Sequence, residues 1–385
     1  MSLRRTADRI DHDAATNMCV PHGKPAPSNR RNVLGVFDSV AQEQHESVHF
    51  GIDHASGLQT IVAIHSTVLG PSLGGTRFYP YGSEAEALTD VLRLSKGMTY
   101  KAACAGLDQG GGKAVIIGNP ATLASPALFR AYGDFIEGLD GRYITAEDVG
   151  TTVENMEIVA SRTDHVSGLL REHGGSGDPS PATARGVFVS HQAIAMLLWG
   201  SKDLTGRRVG IKGIGKVGMA LAGLLFEAGA DLIVADVDDV ATEHAATTYG
   251  AKVVHVDEIH QVHCDIFAPC ALGGDLNESS IPELRCTAVA GSANNQLATE
   301  ADGDRIRAAG ILYAPDFVVN AGGIVNIAAE QGGYSLEKAN TMIDGIFNNL
   351  TEILITADKL GIGTHTAAER VADERLATPG QGGTA

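Results

Sequence analysis

Residues 207–236 read RRVGIKGIGKVGMALAGLLFEAGADLIVAD. Val209 and Ile211 alternate with other residues as in a strand. Gly213, Gly215 and Gly218 then complete GxGxxG, and Leu221, Leu224 and Leu225 recur at helical spacing up to Gly229. A second apolar run ends on Asp236. This is the pattern of a βαβ unit that binds a dinucleotide. The glycines differ in what they allow. Gly213 makes the tight turn, Gly215 permits approach of a pyrophosphate, and Gly218 permits helix–strand packing. The helix N-terminus, with Lys216 and Val217, offers free N–H groups and a positive dipole end to phosphate. Asp236 would bond a ribose diol and repel a 2′-phosphate, and no arginine follows it, so NAD is favoured over NADP; Lys216 is the one feature that pulls the other way. The alternative is a βαβ unit with no nucleotide.

Three apolar stretches follow, at 265–274, 288–296 and 314–326. Each reads as a short strand ending in a small or amide-rich loop. Asn294, Asn295 and Asn320 are thereby expected at the carboxyl edge of a parallel sheet, where ligands bind. Amides that satisfy only loop backbone are the plainer alternative. Upstream, GGSGDPSPAT (174–183) reads as a proline-marked hinge, and a long amphipathic helix follows through Val187, Ile194 and Leu198.

The other informative stretch is GMTYKAACAGLDQGGGKAVIIG, residues 97–118. Lys113 stands between three glycines and an apolar run that reads as a buried strand. Glycines there let a ligand approach the backbone. Burial and the nearby cation of Lys101 would both lower the pKa of Lys113 and suit it to base or nucleophile chemistry. A glycine turn with its lysine in water is the other reading. Ser83-x-x-Glu86 is a capping box that opens a helix running past Met98 to deliver Lys101. Gly74 and Gly75, before Arg77, again leave backbone open. Alternating residues in 47–66 read as a hairpin, 127–139 as a helix, and RYITA as a strand with Asp148 just past its end. Asp148 is placed either for function or as the N-cap of the next helix.

The totals exclude several classes. The chain has 385 residues, 47 glycines and a net charge of −17, which fits an α/β protein of two domains and disfavours nucleic acid and anionic membranes. No apolar run is long enough for a membrane span, and no signal peptide is evident, so a cytoplasmic setting is expected. Five cysteines show neither zinc nor disulfide spacing, and no metal is expected. Residues 1–32 are polar and proline-marked, and read as a disordered extension.

Seven motifs occur in order: GPSLGGTRFYPY, GMTYKAACAGLDQGGGKAVIIG, RYITAEDVGTT, the GxGxxG unit, DIFAPCALGG, GSANNQ and APDFVVNAGG. With them the chain resembles the leucine/valine/phenylalanine dehydrogenases of the glutamate dehydrogenase-like superfamily. The resemblance covers about residues 50–375. It implies an α/β fold of two domains with a cleft between them. A substrate-binding and oligomerisation domain would comprise 33–175, joined by C-terminal helices from about 335 to 385. A Rossmann NAD-binding domain would comprise 176–334.

The resemblance also implies roles. Lys113 would be catalytic, Asp148 would shuttle protons, and Lys101 and Asn295 would hold the substrate carboxylate. Leu73, Gly74, Met98, Ala146, Ser167, Ile324 and Ile327 would line the substrate site, and Thr183, Asn294 and Asn320 would join the cofactor site. The activity implied is reversible oxidative deamination of an L-amino acid by NAD to a 2-oxo acid and ammonium, faster at alkaline pH if Lys113 acts as an amine. Glutamate-specific relatives carry a lysine where Leu73 stands here. A side-chain carboxylate would be unpaired in that apolar site. Valine, leucine and isoleucine are therefore expected, with phenylalanine as the alternative, in a homo-oligomer. A catalytically silent NAD-binding protein would have lost Lys113 or Asp148, and both are present.

Overall fold

The computed structural model describes residues 35–378; the extension 1–32 and the last residues of the C-terminal segment lie outside them. The first domain runs α1 (Val36–Gln42), β1 (Ser47–Asp53), β2 (Leu58–Ser66), β3 (Ser72–Tyr79), α2 (Glu84–Cys104) and β4 (Gly110–Ile117). It continues with α3 (Pro120–Leu123), α4 (Pro126–Glu137), β5 (Tyr143–Glu147) and α5 (Val153–Ala160). Its strands form one mixed sheet in the order β1-β2-β4-β3-β5, with the hairpin β1–β2 antiparallel at one edge and β3, β4 and β5 parallel.

A connecting segment with one 3-10 turn (Arg171–His173) leads to α6 (Ser180–Trp199). The helix takes in the last four residues of the expected hinge, because Pro at its second position suits a first turn. Then come β6 (Arg208–Lys212), α7 (Lys216–Glu227), β7 (Asp231–Ala235), α8 (Asp239–Tyr249), β8 (Lys252–Val253), β9 (Ile266–Pro269) and β10 (Ala288–Val289). After α9 (Glu300–Ala308) and β11 (Leu312–Tyr313), the chain is helical: α10 (Asp316–Val319), α11 (Gly322–Ala328), α12 (Leu336–Asp344), α13 (Ile346–Leu360) and α14 (Thr364–Ala377).

The second sheet is wholly parallel, ordered β8-β7-β6-β9-β10-β11. Counted from β6 this is the doubly wound order 3-2-1-4-5-6, and its switch point falls between β6 and β9. The glycine loop after β6 sits there. One core packs α6 and α7 on this sheet through Val187, Ile194, Leu221 and Leu225. The same core takes in Ala103 and Cys104 of α2 and Ala367, Ala368 and Ala372 of α14. Of the C-terminal helices, α14 is thus the one packed on α2, while α12 and α13 lie on α6.

Three local expectations change. The stretch 314–326 is not a strand: its apolar residues belong to α10 and α11, which Pro315 and Asp316 start. Asp148 is not an N-cap; Thr152 holds that position, its hydroxyl accepting from Asn155 N. The capping box of α2 is one-sided. Ser83 accepts from Glu86 N, but the Glu86 carboxylate turns to Gly82 N at 2.9 Å.

Candidate active site

Lys113 lies on β4, two residues after Gly111, so both point to one face of the sheet. That face carries α2. A Cβ at Gly111 would strike Thr99 N, so α2 rests directly on the strand backbone. A Cβ at Gly112 would strike the Tyr143 ring, and one at Gly110 would strike Ser66 O. The three glycines therefore admit protein rather than ligand. Gly111 is the one that lets α2 settle on the strand and so brings Met98 and Lys101, in the last turns of α2, down beside Lys113. Gly74 and Gly75 behave alike. A Cβ at Gly74 would meet Gly112 O, and one at Gly75 would meet Glu147 O and, at 2.9 Å, Asp148 Cβ. Gly74 is thus a close-packing residue between strands, and Gly75 leaves room for Asp148.

Asp148 follows β5 and meets two cations. Its Oδ2 is 2.9 Å from Lys113 Nζ and 3.2 Å from Arg77 Nε. Arg77 is tied in turn to Asp90 of α2 at 2.8 Å. Burial pushes the Asp148 pKa up, but Lys113 and Arg77 outweigh it and hold the carboxyl below its usual range. Lys113 is 6 % exposed. Burial draws the Lys101 pKa down, to about 8, and the Lys113 cation adds to that, against the pull of Asp316 and Asp148.

These residues line one cleft of about 430 Å³, with Arg77, Met98, Lys101, Lys113 and Asp148 on the first domain's side and Asn294, Asn295 and Asp316 on the other, His365 of α14 completing the lining. Asn295 adopts φ 52°, the left-handed region that asparagine tolerates. Asn320 caps α10 rather than a strand; its amide donates to Asn294 Oδ1 at 2.8 Å and Ser292 O at 3.2 Å, and its own Oδ1 is buried without a partner. Leu73, Met98, Ile324 and Ile327 share one apolar cluster, with Ile144 beside them. Ala146 pairs with Gly75, and Ser167 N donates to the adjacent Thr145 O at 2.8 Å.

The glycine loop fits an extended phosphate-bearing group. Gly213 has φ 100°, and a Cβ there would strike Ala271 of the facing loop. A Cβ at Gly218 would strike Gly213 O, so α7 packs on the loop only with glycine there. Over Gly215, by contrast, the space is open. Asp236 is oriented by two backbone donors, Ile214 N at 2.5 Å and Asp238 N at 3.0 Å. Lys216 is exposed and 3.6 Å from Asp178. Val217 packs its side chain against the core of the second sheet. The Thr183 hydroxyl donates to Pro179 O at 3.0 Å and lies over Gly323 at the start of α11.

Asp316 and the second cation on Asp148 were not singled out from sequence. Pro315–Asp316 before an apolar run is a helix-start signal, but the run's length read as a strand. No spacing rule joins Arg77 to Asp148. Among the described residues no histidine, cysteine or acidic group forms a metal-binding cluster, and no helix is long and apolar enough to cross a membrane.

Comparison with known proteins agrees with this geometry. Residues 42–165 match the Glu/Leu/Phe/Val dehydrogenase dimerisation domain, and residues 234–378 match the glutamate/leucine/phenylalanine/valine dehydrogenase domain. The chain is 50% identical to leucine dehydrogenase of Geobacillus stearothermophilus, over 90% of this chain and 94% of that one. It is 46% identical to phenylalanine dehydrogenase of Thermoactinomyces intermedius, over 89% and 94%. L-tryptophan dehydrogenase from Nostoc punctiforme superposes with a TM-score of 0.81 at 41% identity, covering 89% of this chain and 98% of that structure. With both domains matched and half the residues shared over nearly the whole length, this chain is a member of the glutamate/leucine/phenylalanine/valine dehydrogenase family.

Proposed function

We propose that the protein catalyses reversible, NAD-dependent oxidative deamination of a branched-chain L-amino acid. The observation that carries this reading is the convergence of Lys101, Lys113 and Asp148 on one cleft whose far wall belongs to the dinucleotide domain. Bound NAD would supply a hydride acceptor. Lys101 as the ammonium, with Asn295, would hold the substrate carboxylate and so fix Cα, which is a positioning role. Once Cα has lost hydride, Lys113 as the amine would take a proton from the water that attacks the iminium carbon. Asp148, at 2.9 Å from that nitrogen, would pass protons to the departing amine. Gly213, Gly215 and Gly218 would admit the pyrophosphate, and Asp236 would hold the ribose diol.

The pocket supports an apolar side chain of moderate size. Leu73, Ile324 and Ile327 offer no charge to a glutamate carboxylate, which would be costly to bury unpaired. The match of residues 42–165 to a dimerisation domain supports a homo-oligomer. Relative kcat/KM for valine, leucine, isoleucine, phenylalanine and glutamate, with NAD and with NADP, is the direct test. The reading predicts leucine or valine first and glutamate at background. A preference for phenylalanine, or for NADP, would overturn those parts of it.

A further inference from the structure

We propose that Glu330 is a specificity-determining positioning residue: it staples the two walls of the amino-acid pocket together across the domain boundary. The inference deepens the deamination reading and rests on it. Glu330 stands just past α11, the helix that carries Ile324 and Ile327. Its carboxylate accepts Gly168 N through both oxygens, at 3.0 and 3.2 Å, and Ser176 N at 2.7 Å. Gly168 directly follows Ser167. One side chain just past the pocket helix therefore grips both ends of the segment that leads from the pocket serine toward the second domain.

The segment needs such a grip. Between Ser167 and Ser180 its only regular structure is the 3-10 turn Arg171–His173, so several of its N–H groups lack a backbone partner. Carboxylates take their place. Glu157 of α5 accepts Leu170 N at 2.8 Å and contacts His173 Nδ1 at 2.6 Å. Glu157 holds the segment to its own domain; Glu330 reaches over from the other. Hydrogen bonds to a charged acceptor are about twice as strong as neutral ones. Gly168, Gly174 and Gly177 have φ of 79°, 85° and 70°, so the backbone can turn at those points once a grip is lost. Releasing the Glu330 contacts lets α11 drift from Ser167, and the pocket widens by that amount. Small substrates then lose contact and larger ones gain room.

The test uses the full chain with Glu330→Gln, which keeps shape but removes the charge, and Glu330→Asp, which keeps the charge on a shorter arm. Amide exchange of peptides spanning 166–178 is read by mass spectrometry, alongside kcat and KM for valine, leucine and phenylalanine and the Kd for NADH. In the glutamine variant, exchange at Gly168 and Ser176 should rise about tenfold while the NADH Kd stays within about twofold. The leucine-to-phenylalanine ratio of kcat/KM should fall about tenfold, mostly through a higher KM for leucine. Aspartate should restore part of both effects. Unchanged exchange, an equal loss for all three substrates, or no recovery by aspartate would each overturn the staple. A wild-type chain that turns over none of the three would instead defeat the deamination reading, and exchange alone would then judge Glu330.

Discussion

Lys113 and Asp148 are not equal partners, and the difference can be measured. The Asp148 carboxylate has two cations, Lys113 at 2.9 Å and Arg77 at 3.2 Å. Lys113 has only Asp148 as an anion within salt-bridge distance among the described residues, and its side chain is 7% exposed against 24% for Asp148. Asp148→Asn strands an ammonium in a nearly closed site, with Lys101 as a further cation nearby. Breaking a buried pair from one side costs about 3–5 kcal/mol. Partial exposure of Asp148 brings the expectation to about 2–3 kcal/mol, a fall in unfolding temperature of roughly 2–4 °C for a chain of this length. Lys113→Met leaves the carboxylate on Arg77 and strands no charge, so it should cost about 1 kcal/mol or less. The double variant should be more stable than Asp148→Asn alone, because the stranded charge is gone. All three should lose about 10²–10⁴ in kcat, so activity alone does not separate them. Thermal unfolding of the purified variants, followed by circular dichroism, does. Equal destabilisation by the two single changes, or a double variant weaker than both, would refute the ion-pair argument. Turnover within a few-fold of wild type in Lys113→Met would refute the catalytic one.

Four further outcomes follow from the same geometry. In the proposed reaction Lys101 would bind the carboxylate as the ammonium, and its pKa in the free protein is drawn to about 8, so kcat/KM for the amino acid should fall as pH rises through that value; Lys101→Arg should move that limb well to the alkaline side. The unfolded chain keeps this proton to higher pH than the native one, so stability should rise from about pH 8 toward the ordinary lysine pKa, and Lys101→Met should flatten the rise in urea titrations. Asp236→Ala should weaken NADH binding by about 10–100-fold in fluorescence titration, the worth of hydrogen bonds to a charged group, and should narrow the preference over NADPH. Gly111→Ala would drive a methyl into Thr99 N, so α2 must lift from β4; KM for the amino acid should rise by about tenfold or more with NADH affinity unchanged.

The two halves of the protein differed in how much of them could be read from sequence, and the reason is distance along the chain. The βαβ unit is local. Strand, glycine turn, helix and acid fall within residues 207–236, and each glycine's steric role is set by neighbours a few positions away, such as Gly218 against Gly213 O. Lys113 and Asp148 stand out because each sits at a strand position flagged by its own flanks. The contacts that tune them come from elsewhere. Arg77 reaches Asp148 from a neighbouring strand, Asp316 comes from the other domain, and Glu330 lies 162 positions from Gly168. No periodicity reports such pairings.

The glycines of β3 and β4 show the same limit in a sharper form. A run such as Gly110–Gly112 states that something approaches the backbone, but it does not state what. Here the neighbour is α2 on one face and the Tyr143 ring on the other. The consequence for function is nevertheless direct. A helix can carry a lysine to within reach of another lysine on a strand only if the strand has no side chains beneath it. The close pair of cations in this cleft depends on the missing Cβ of Gly111, the glycine of the three that faces α2. Asp148 beneath Lys113 and Asp316 beyond Lys101 then supply the opposing charge. The chemistry proposed for the cleft thus rests on backbone packing as much as on the lysines themselves.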